Sequence, residues 1–381
     1  MSGRAIRHVA DLAQEWVERE QVQTLAALVA CRGTIVLHGA WGRMAPEAGS
    51  PQTTLDAVFD TQSLGKVFTA TAVLVLVEEG RVGLNRPVSS YVPFFRGEGK
   101  DAVLVRHLLT HSSGLVSEDV ERYVKEHEGK VEIPPPVAGM HPLWNEYFAL
   151  RADIPLSKRP GEEMSYLSYG YELLGEIVRR VSGEPLDVFC QRRIFSPLGM
   201  GNTSCCQIDF PESRRVRGPP VPAELLDAFD RIRETERVAF GSGGAYTTPY
   251  DMAVFGQMLL NEGAYGTSRI LSPATVRAMT RNQIPGVPSH FFEQYFPEAS
   301  WGLGVDVRAN KNSWTGGLES LQTFGHSGGG GIDWWVDPGY QIVGVLFSAV
   351  PHGTSVTTAD WAKNWRNDLF EDAVTAAVVE V

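Results

Sequence analysis

The chain has 381 residues, 43% of them hydrophobic and 21% charged, with a formal net charge of −11. That length and apolar content can bury a large core in one large or two intimately joined domains, and they exclude a disordered chain. The acidic balance, with no run of Lys and Arg, excludes an electrostatic nucleic-acid footprint, and the lack of any long apolar run or apolar leader makes a cytoplasmic protein without membrane contact the expectation.

Residues 6–20 carry Ile6, Val9, Ala10, Leu12, Ala13, Trp16 and Val17 at helical spacing, which predicts an amphipathic first helix. Leu25 to Ala30 and Thr34 to His38, split by Arg32-Gly33, predict a β-hairpin. A strand at Ala57-Val58-Phe59 would deliver the chain to Ser63. From Leu64 to Val77 scarcely a polar residue occurs before Glu78, Glu79 and Gly80, the pattern of a buried helix closed by a left-handed glycine, with Ser63 in its first turn. The text up to about residue 235 is proline-rich in places, at Pro134-Pro135-Pro136 and Pro219-Pro220, and otherwise helical, most clearly over 169–182 and 186–194. Beyond Gly241 the spacing predicts helices over 250–261 and 272–282, strands near 323–324, 332–336 and 341–347, and a closing helix over 358–379.

The expected fold class is α+β: an antiparallel sheet flanked by helices, with an inserted mostly helical domain. Residues 1–85 and 240–381 would form the sheet domain and 86–239 the helical one, with the active site in the cleft between them. The four cysteines, Cys31, Cys190, Cys205 and Cys206, show no C-x-x-C and no paired His spacing, so free thiols are expected. No metal and no organic cofactor is required; oligomeric state is open.

The chemistry is placed at Ser63-x-x-Lys66. Residues three apart on a helix share a face, so the Lys66 amine can reach the Ser63 hydroxyl. A serine must lose its proton as it attacks, and a lysine kept neutral by burial in an apolar helix can accept it. Two later stretches supply the remaining parts of such a site: Met164-Ser165-Tyr166-Leu167-Ser168-Tyr169 and Phe324-Gly325-His326-Ser327-Gly328-Gly329.

These three motifs, in this order, resemble the serine β-lactamase and penicillin-binding-protein superfamily, specifically the class C-like branch with family VIII carboxylesterases and D-aminopeptidases. The likeness spans nearly the whole chain and includes Leu108 to Leu115, Gly243 to Met252 and Trp301-Gly302-Leu303-Gly304. It implies Ser63 as nucleophile, Lys66 as its activator and Tyr166 as the tyrosine of a Tyr-x-Asn motif. It also implies an oxyanion hole from the backbone N–H groups of Ser63 and Gly329. A cationic Lys66 nearby would lower the phenol of Tyr166 from its usual value of about 10.

Two departures bear on substrate. The asparagine of Tyr-x-Asn is Ser168 here, with one donor instead of two, and the Lys-Thr-Gly of the lactamases reads His326-Ser327-Gly328. A neutral imidazole at His326 cannot supply the fixed positive charge that a carboxylate substrate wants, so neutral small-molecule esters are expected. The reading is therefore a carboxylesterase working through an acyl-enzyme. Its rivals are a β-lactamase or D-amino-acid peptidase, a biosynthetic acyltransferase, and a non-catalytic scaffold.

Gly325-His326-Ser327-Gly328-Gly329 also satisfies G-x-S-x-G, but a strand and turn follow where a nucleophile elbow needs a helix. His107 and His111 read as structural, and Asp60 as a loop or cap residue. Trp334 and Trp335 are strand neighbours pointing to opposite faces, so at most one, Trp334, lines an acyl pocket, the alternative being that both belong to the core.

Overall fold

The computed structural model describes residues 1–135, 137, 139–218, 224, 226–291, 294–311, 316–349 and 366–379. Its centre is a six-stranded sheet of β1 (Thr24–Cys31), β2 (Thr34–Gly42), β3 (Asp306–Val307), β4 (Phe324–Gly328), β5 (Ile332–Asp337) and β6 (Ile342–Ser348). The strand order is β2-β1-β6-β5-β4-β3, with antiparallel neighbours throughout. The chain's two ends thus meet in the middle of the sheet, where β1 pairs with β6.

That placement explains the composition of β1. Leu28 and Ala30 enter one core and Leu25, Ala27 and Val29 the other, so the strand reads as an unbroken apolar run rather than an alternating one. On one face, α1 (Gly3–Glu18) and α5 (Asn367–Ala376) cover the sheet through Val9, Ala13, Trp16, Phe370 and Val374. The Ser2 hydroxyl accepts the Ala5 N–H at 3.4 Å and caps α1. On the other face, α4 (Pro249–Leu260) packs Met252 and Phe255 against the sheet, and α2 (Lys66–Glu78) and α3 (Ser168–Ser182) lie in the same core.

α2 is buried on every side from Lys66 to Leu76, as its scarcity of polar residues leads one to expect. Gly80, at φ 70°, ends it in the left-handed conformation, with Arg81 N donating to the Leu76 carbonyl at 3.0 Å. Among the described residues, 86–239 form helices and turns with no ladder strand. The fold class is the one expected. Both strands of the N-terminal hairpin and the three C-terminal strands lie within a few residues of their expected places.

Three local expectations shift. Ser63 sits not in the α-helix but in a 3₁₀ turn, Gln62–Gly65, that leads into it. The strand before it is only Phe59–Asp60, paired with Tyr246–Thr247. The closing helix begins at Asn367, and 358–365 of its expected span lie outside the described residues, as do Pro136, Pro219 and Pro220. Cys190, Cys205 and Cys206 are buried and all four thiols are free; burial pushes the Cys206 thiol well up, which leaves it inert.

Candidate active site

The turn that carries Ser63 is fixed from three directions. Thr61 donates both its backbone N–H and its hydroxyl to the Ala245 carbonyl, each at 2.8 Å. Asp60 accepts the Gln62 N–H at 3.0 Å, which stabilises Gln62 at φ 51°, and its other oxygen is held by Arg233 at 2.9 Å. Asp60, expected as a loop or cap residue, ends the short strand and braces the turn from there, while the N-cap position itself is Thr61. Two glycines allow the close approach: a Cβ on Gly243, at φ 156°, would stand 2.4 Å from the Gln62 carbonyl oxygen, and one on Gly328 would stand 2.3 Å from that of Thr61. The Ser63 turn is thus wedged between the 241–244 segment and the end of β4.

Within this wedge three side-chain tips converge. Lys66 Nζ lies 3.1 Å from Ser63 Oγ and 4.9 Å from the centre of the Tyr166 ring, and the Tyr166 phenol is hydrogen-bonded to the Ser63 hydroxyl. Lys66 also donates to the Ser242 carbonyl at 2.6 Å. Burial drives the Lys66 amine down to about 7, with the nearby Glu172 carboxylate opposing the fall.

Tyr166 behaves opposite to expectation. Burial pushes its phenol well above the ordinary tyrosine range, and the hydrogen bond from Ser63 opposes this only in part. Desolvation dominates because a buried phenolate would lose its hydration, and an amine that burial has itself brought down to about 7 is a weak source of compensating charge. Burial thus holds Tyr166 as a neutral phenol, whereas the same burial makes the Lys66 amine easier to neutralise.

His111, read as structural, holds Tyr166 in place. It stacks between the rings of Tyr166 and Tyr171, at 4.3 and 4.9 Å, and accepts the Leu167 N–H on Nδ1 at 3.1 Å. Its carbonyl accepts the Ser165 N–H at 2.8 Å. Complete burial keeps the ring neutral. The pattern Leu-Leu-Thr-His placed this histidine in the chain without revealing that it lies under the tyrosine.

The remaining candidates divide. His326 comes to the site: it lies 6.1 Å from the Tyr166 ring and 5.6 Å from Trp301, and burial holds its imidazole down at about 3. Gly329 follows β4, with open space where a side chain would project. Ser327 does not join them. Register pairs it with Asp333, to which its hydroxyl donates at 3.3 Å, while His326 pairs with Trp334; strand alternation puts Ser327 on the face opposite His326. No histidine engages that hydroxyl among the described residues, and β5 follows the glycine turn, so the G-x-S-x-G reading fails on geometry.

Trp334 is likewise displaced from the substrate-binding role. It is fully buried against Phe255 and Phe324 at 5.7 and 6.2 Å, in the core between sheet and α4, whereas Trp335 packs on Phe370 across the sheet. The two indoles do point oppositely. Ser168 is exposed as the first residue of α3, and the structure gives it no hydrogen bond to Lys66, whose second partner is the Ser242 carbonyl.

The sequence model of the β-lactamase family matches residues 9–366. The chain belongs to the β-lactamase family. It is 28% identical over 356 residues to a Salmonella schwarzengrund protein provisionally named a D-alanyl-D-alanine carboxypeptidase, covering 84% of this chain and 76% of that one. A family VIII carboxylesterase structure superposes with a TM-score of 0.73 at 21% identity, covering 98% of each chain. EstCE1, titled a hydrolase with promiscuous acyltransferase activity, gives a TM-score of 0.73 at 20% identity over 99% of each chain. The protein is a hydrolase of the serine β-lactamase fold. Among the described residues, no helix is long and apolar enough to cross a membrane.

Within this β-lactamase fold the convergent trio can deprotonate a hydroxyl and stabilise the charge that develops on attack. At the Tyr166 side of this site His326 presents a neutral imidazole, not a fixed positive charge.

Proposed function

We propose that the protein is a carboxylesterase that carries the acyl group of neutral, small to medium esters on Ser63, in a cleft between the helical region 86–239 and the sheet-bearing segments 1–85 and 240–381. Neutral Lys66 takes the Ser63 proton as Oγ bonds to the ester carbonyl carbon. The oxyanion is held by the backbone N–H groups of Ser63 and Gly329. As the carbon–oxygen bond to the alcohol breaks, the leaving alkoxide takes the Tyr166 proton and Tyr166 is reprotonated from the lysine. Water then attacks the acyl-enzyme, gives its proton to the same pair, and Ser63 recovers its own on release of the acid.

The observation that carries the ester reading is His326, a buried neutral imidazole where the resemblance expects a lysine. A site lacking that charge leaves the carboxylate of a β-lactam or peptide terminus unpaired, which costs binding in proportion to its desolvation. The shared fold with a family VIII carboxylesterase supports the same reading.

The test compares kcat/KM for p-nitrophenyl acetate and butyrate with that for nitrocefin and D-alanine p-nitroanilide. The esters are expected to lead by at least about a hundredfold. Faster turnover of the amide or of nitrocefin would overturn the ester reading in favour of a peptidase or β-lactamase. Transfer of the acyl group to an added alcohol outpacing hydrolysis would make the protein an acyltransferase.

A further inference from the structure

Glu172 is fully buried on α3, one residue beyond Tyr171, and no step of the reaction described above uses it. A carboxylate in such a place must find partners, and both of its oxygens do. Oε2 accepts the Gly241 N–H at 2.8 Å and Oε1 the Ser242 N–H at 3.1 Å, with a further hydrogen bond from the Ser242 side chain. Ser242, so gripped by its N–H, is the residue whose carbonyl, in the next peptide along, accepts from Lys66 Nζ at 2.6 Å. The grip demands glycine at 241, where a Cβ would stand 2.1 Å from the Tyr171 carbonyl oxygen.

We propose that Glu172 is a positioning residue for the Ser63–Lys66 pair: through the 241–242 peptide it sets the place of the carbonyl that anchors the amine, and through its charge it sets the pH at which that amine becomes a base. The inference rests on Lys66 acting as the proton acceptor.

The electrostatic surroundings make Glu172 the distinctive counter-charge. The other titratable groups facing Lys66 are Tyr166, Tyr171, His111 and His326; burial keeps both phenols protonated and both imidazoles neutral. On its far side Glu172 faces the phenol of Tyr147, also held protonated by burial, and a cavity of about 210 Å³. The charges lining that cavity are spoken for: Arg179 pairs with Glu176 and Arg237 with Asp187, each at 2.7 Å. Burial raises the Glu172 carboxyl, while the three hydrogen bonds and the lysine favour its ionised form. An anion near Lys66 stabilises the ammonium. Its removal must therefore lower the amine's pKa and make the base available at more acid pH, while loosening the carbonyl anchor.

The experiment follows release of p-nitrophenolate from a neutral p-nitrophenyl phosphonate ester, with confirmation by intact mass, between pH 5 and 9. In this step Ser63 Oγ bonds to phosphorus, the bond to the nitrophenolate breaks, and the proton goes to Lys66. The wild type is expected to show a rising limb near the lysine value, about 7. In Glu172→Gln that limb should move about one unit to lower pH, with the rate on the alkaline plateau reduced about tenfold. In Glu172→Asp, which keeps the charge but withdraws it, the limb should move in the same direction by less.

A purely structural carboxylate would lower the plateau and leave the limb where it is. An unmoved limb in Glu172→Gln, or one moved to higher pH, would overturn the proposal. If the Gln variant does not fold, Glu172→Asp carries the same test, and an unmoved limb there is equally fatal. Absence of labelling in the wild type would instead sink the hydrolase reading itself, which separates the two failures.

Discussion

Replacing Lys66 with methionine is expected to lower kcat/KM for a p-nitrophenyl ester by about 10²–10⁴-fold, the range that a positioned general base contributes. Methionine is close to lysine in length and apolar, so the all-buried helix α2 keeps its packing and loses only the amine. The wild-type profile supplies the second half of the prediction. Because the amine is brought down to about 7 by burial, and because the working form is the neutral one, turnover should rise with pH through that value and then level off. The opposite assignment, with Tyr166 as phenolate base, puts the limb far into the alkaline range, since burial raises the phenol. Lys66→Met should abolish the limb near 7 along with the rate; a variant that kept both would transfer the base role elsewhere.

Trp334→Ala is expected to destabilise the protein by about 3–5 kcal/mol, the cost of deleting a large aromatic from a packed core. The indole fills the space between β5 and α4, touching Phe255 and Phe324, and its Nε1 is the near neighbour that would stand 2.7 Å from a Cβ on Gly256. The effect should show as a lower guanidinium midpoint. The contrast lies in Trp334→Phe, which keeps an aromatic in the core: it should retain the pattern of acyl-chain preference among p-nitrophenyl esters, because Trp334 does not face the substrate. A changed chain-length preference at unchanged stability would return the residue to the acyl pocket.

Much of the fold was legible because its strongest signals are one-dimensional. A stretch after Ser63 that is apolar but for Lys66, Thr69 and Thr71 reads as a buried helix, and apolar runs on both sides of Arg32-Gly33 read as a hairpin. The two-residue strand Asp306–Val307 carries no periodicity and leaves no such trace, and the strand expected at 57–59 shows only its position, not its length, since just Phe59–Asp60 is paired. The adjacency of Trp334 and Trp335 told that they face opposite sides, but which side meets the active site depends on the β4–β5 register, which pairs His326 with Trp334 and Ser327 with Asp333.

In the site, Ser63, Lys66 and Tyr166 were found by motif and do converge. The direction of the Tyr166 shift was not, because it is decided by burial against charge, and burial is a property of the folded assembly. Glu172 and Ser242 were missed for a related reason. The signal was present as two acids one turn apart on a helix that is otherwise largely apolar inside, Glu172 and Glu176, of which only Glu176 has arginines at i+3 and i+4, and as Ser242 inside a glycine run. Their connection exists only across 69 to 70 residues of chain.

The account turns on Ser63 being the atom that is acylated. Intact mass after treatment with a p-nitrophenyl phosphonate, on wild type, Ser63→Ala and Ser327→Ala, measures this directly. One adduct per chain on wild type and on Ser327→Ala, with none on Ser63→Ala, is the predicted result. An adduct that survives Ser63→Ala, or that disappears with Ser327→Ala, would contradict it.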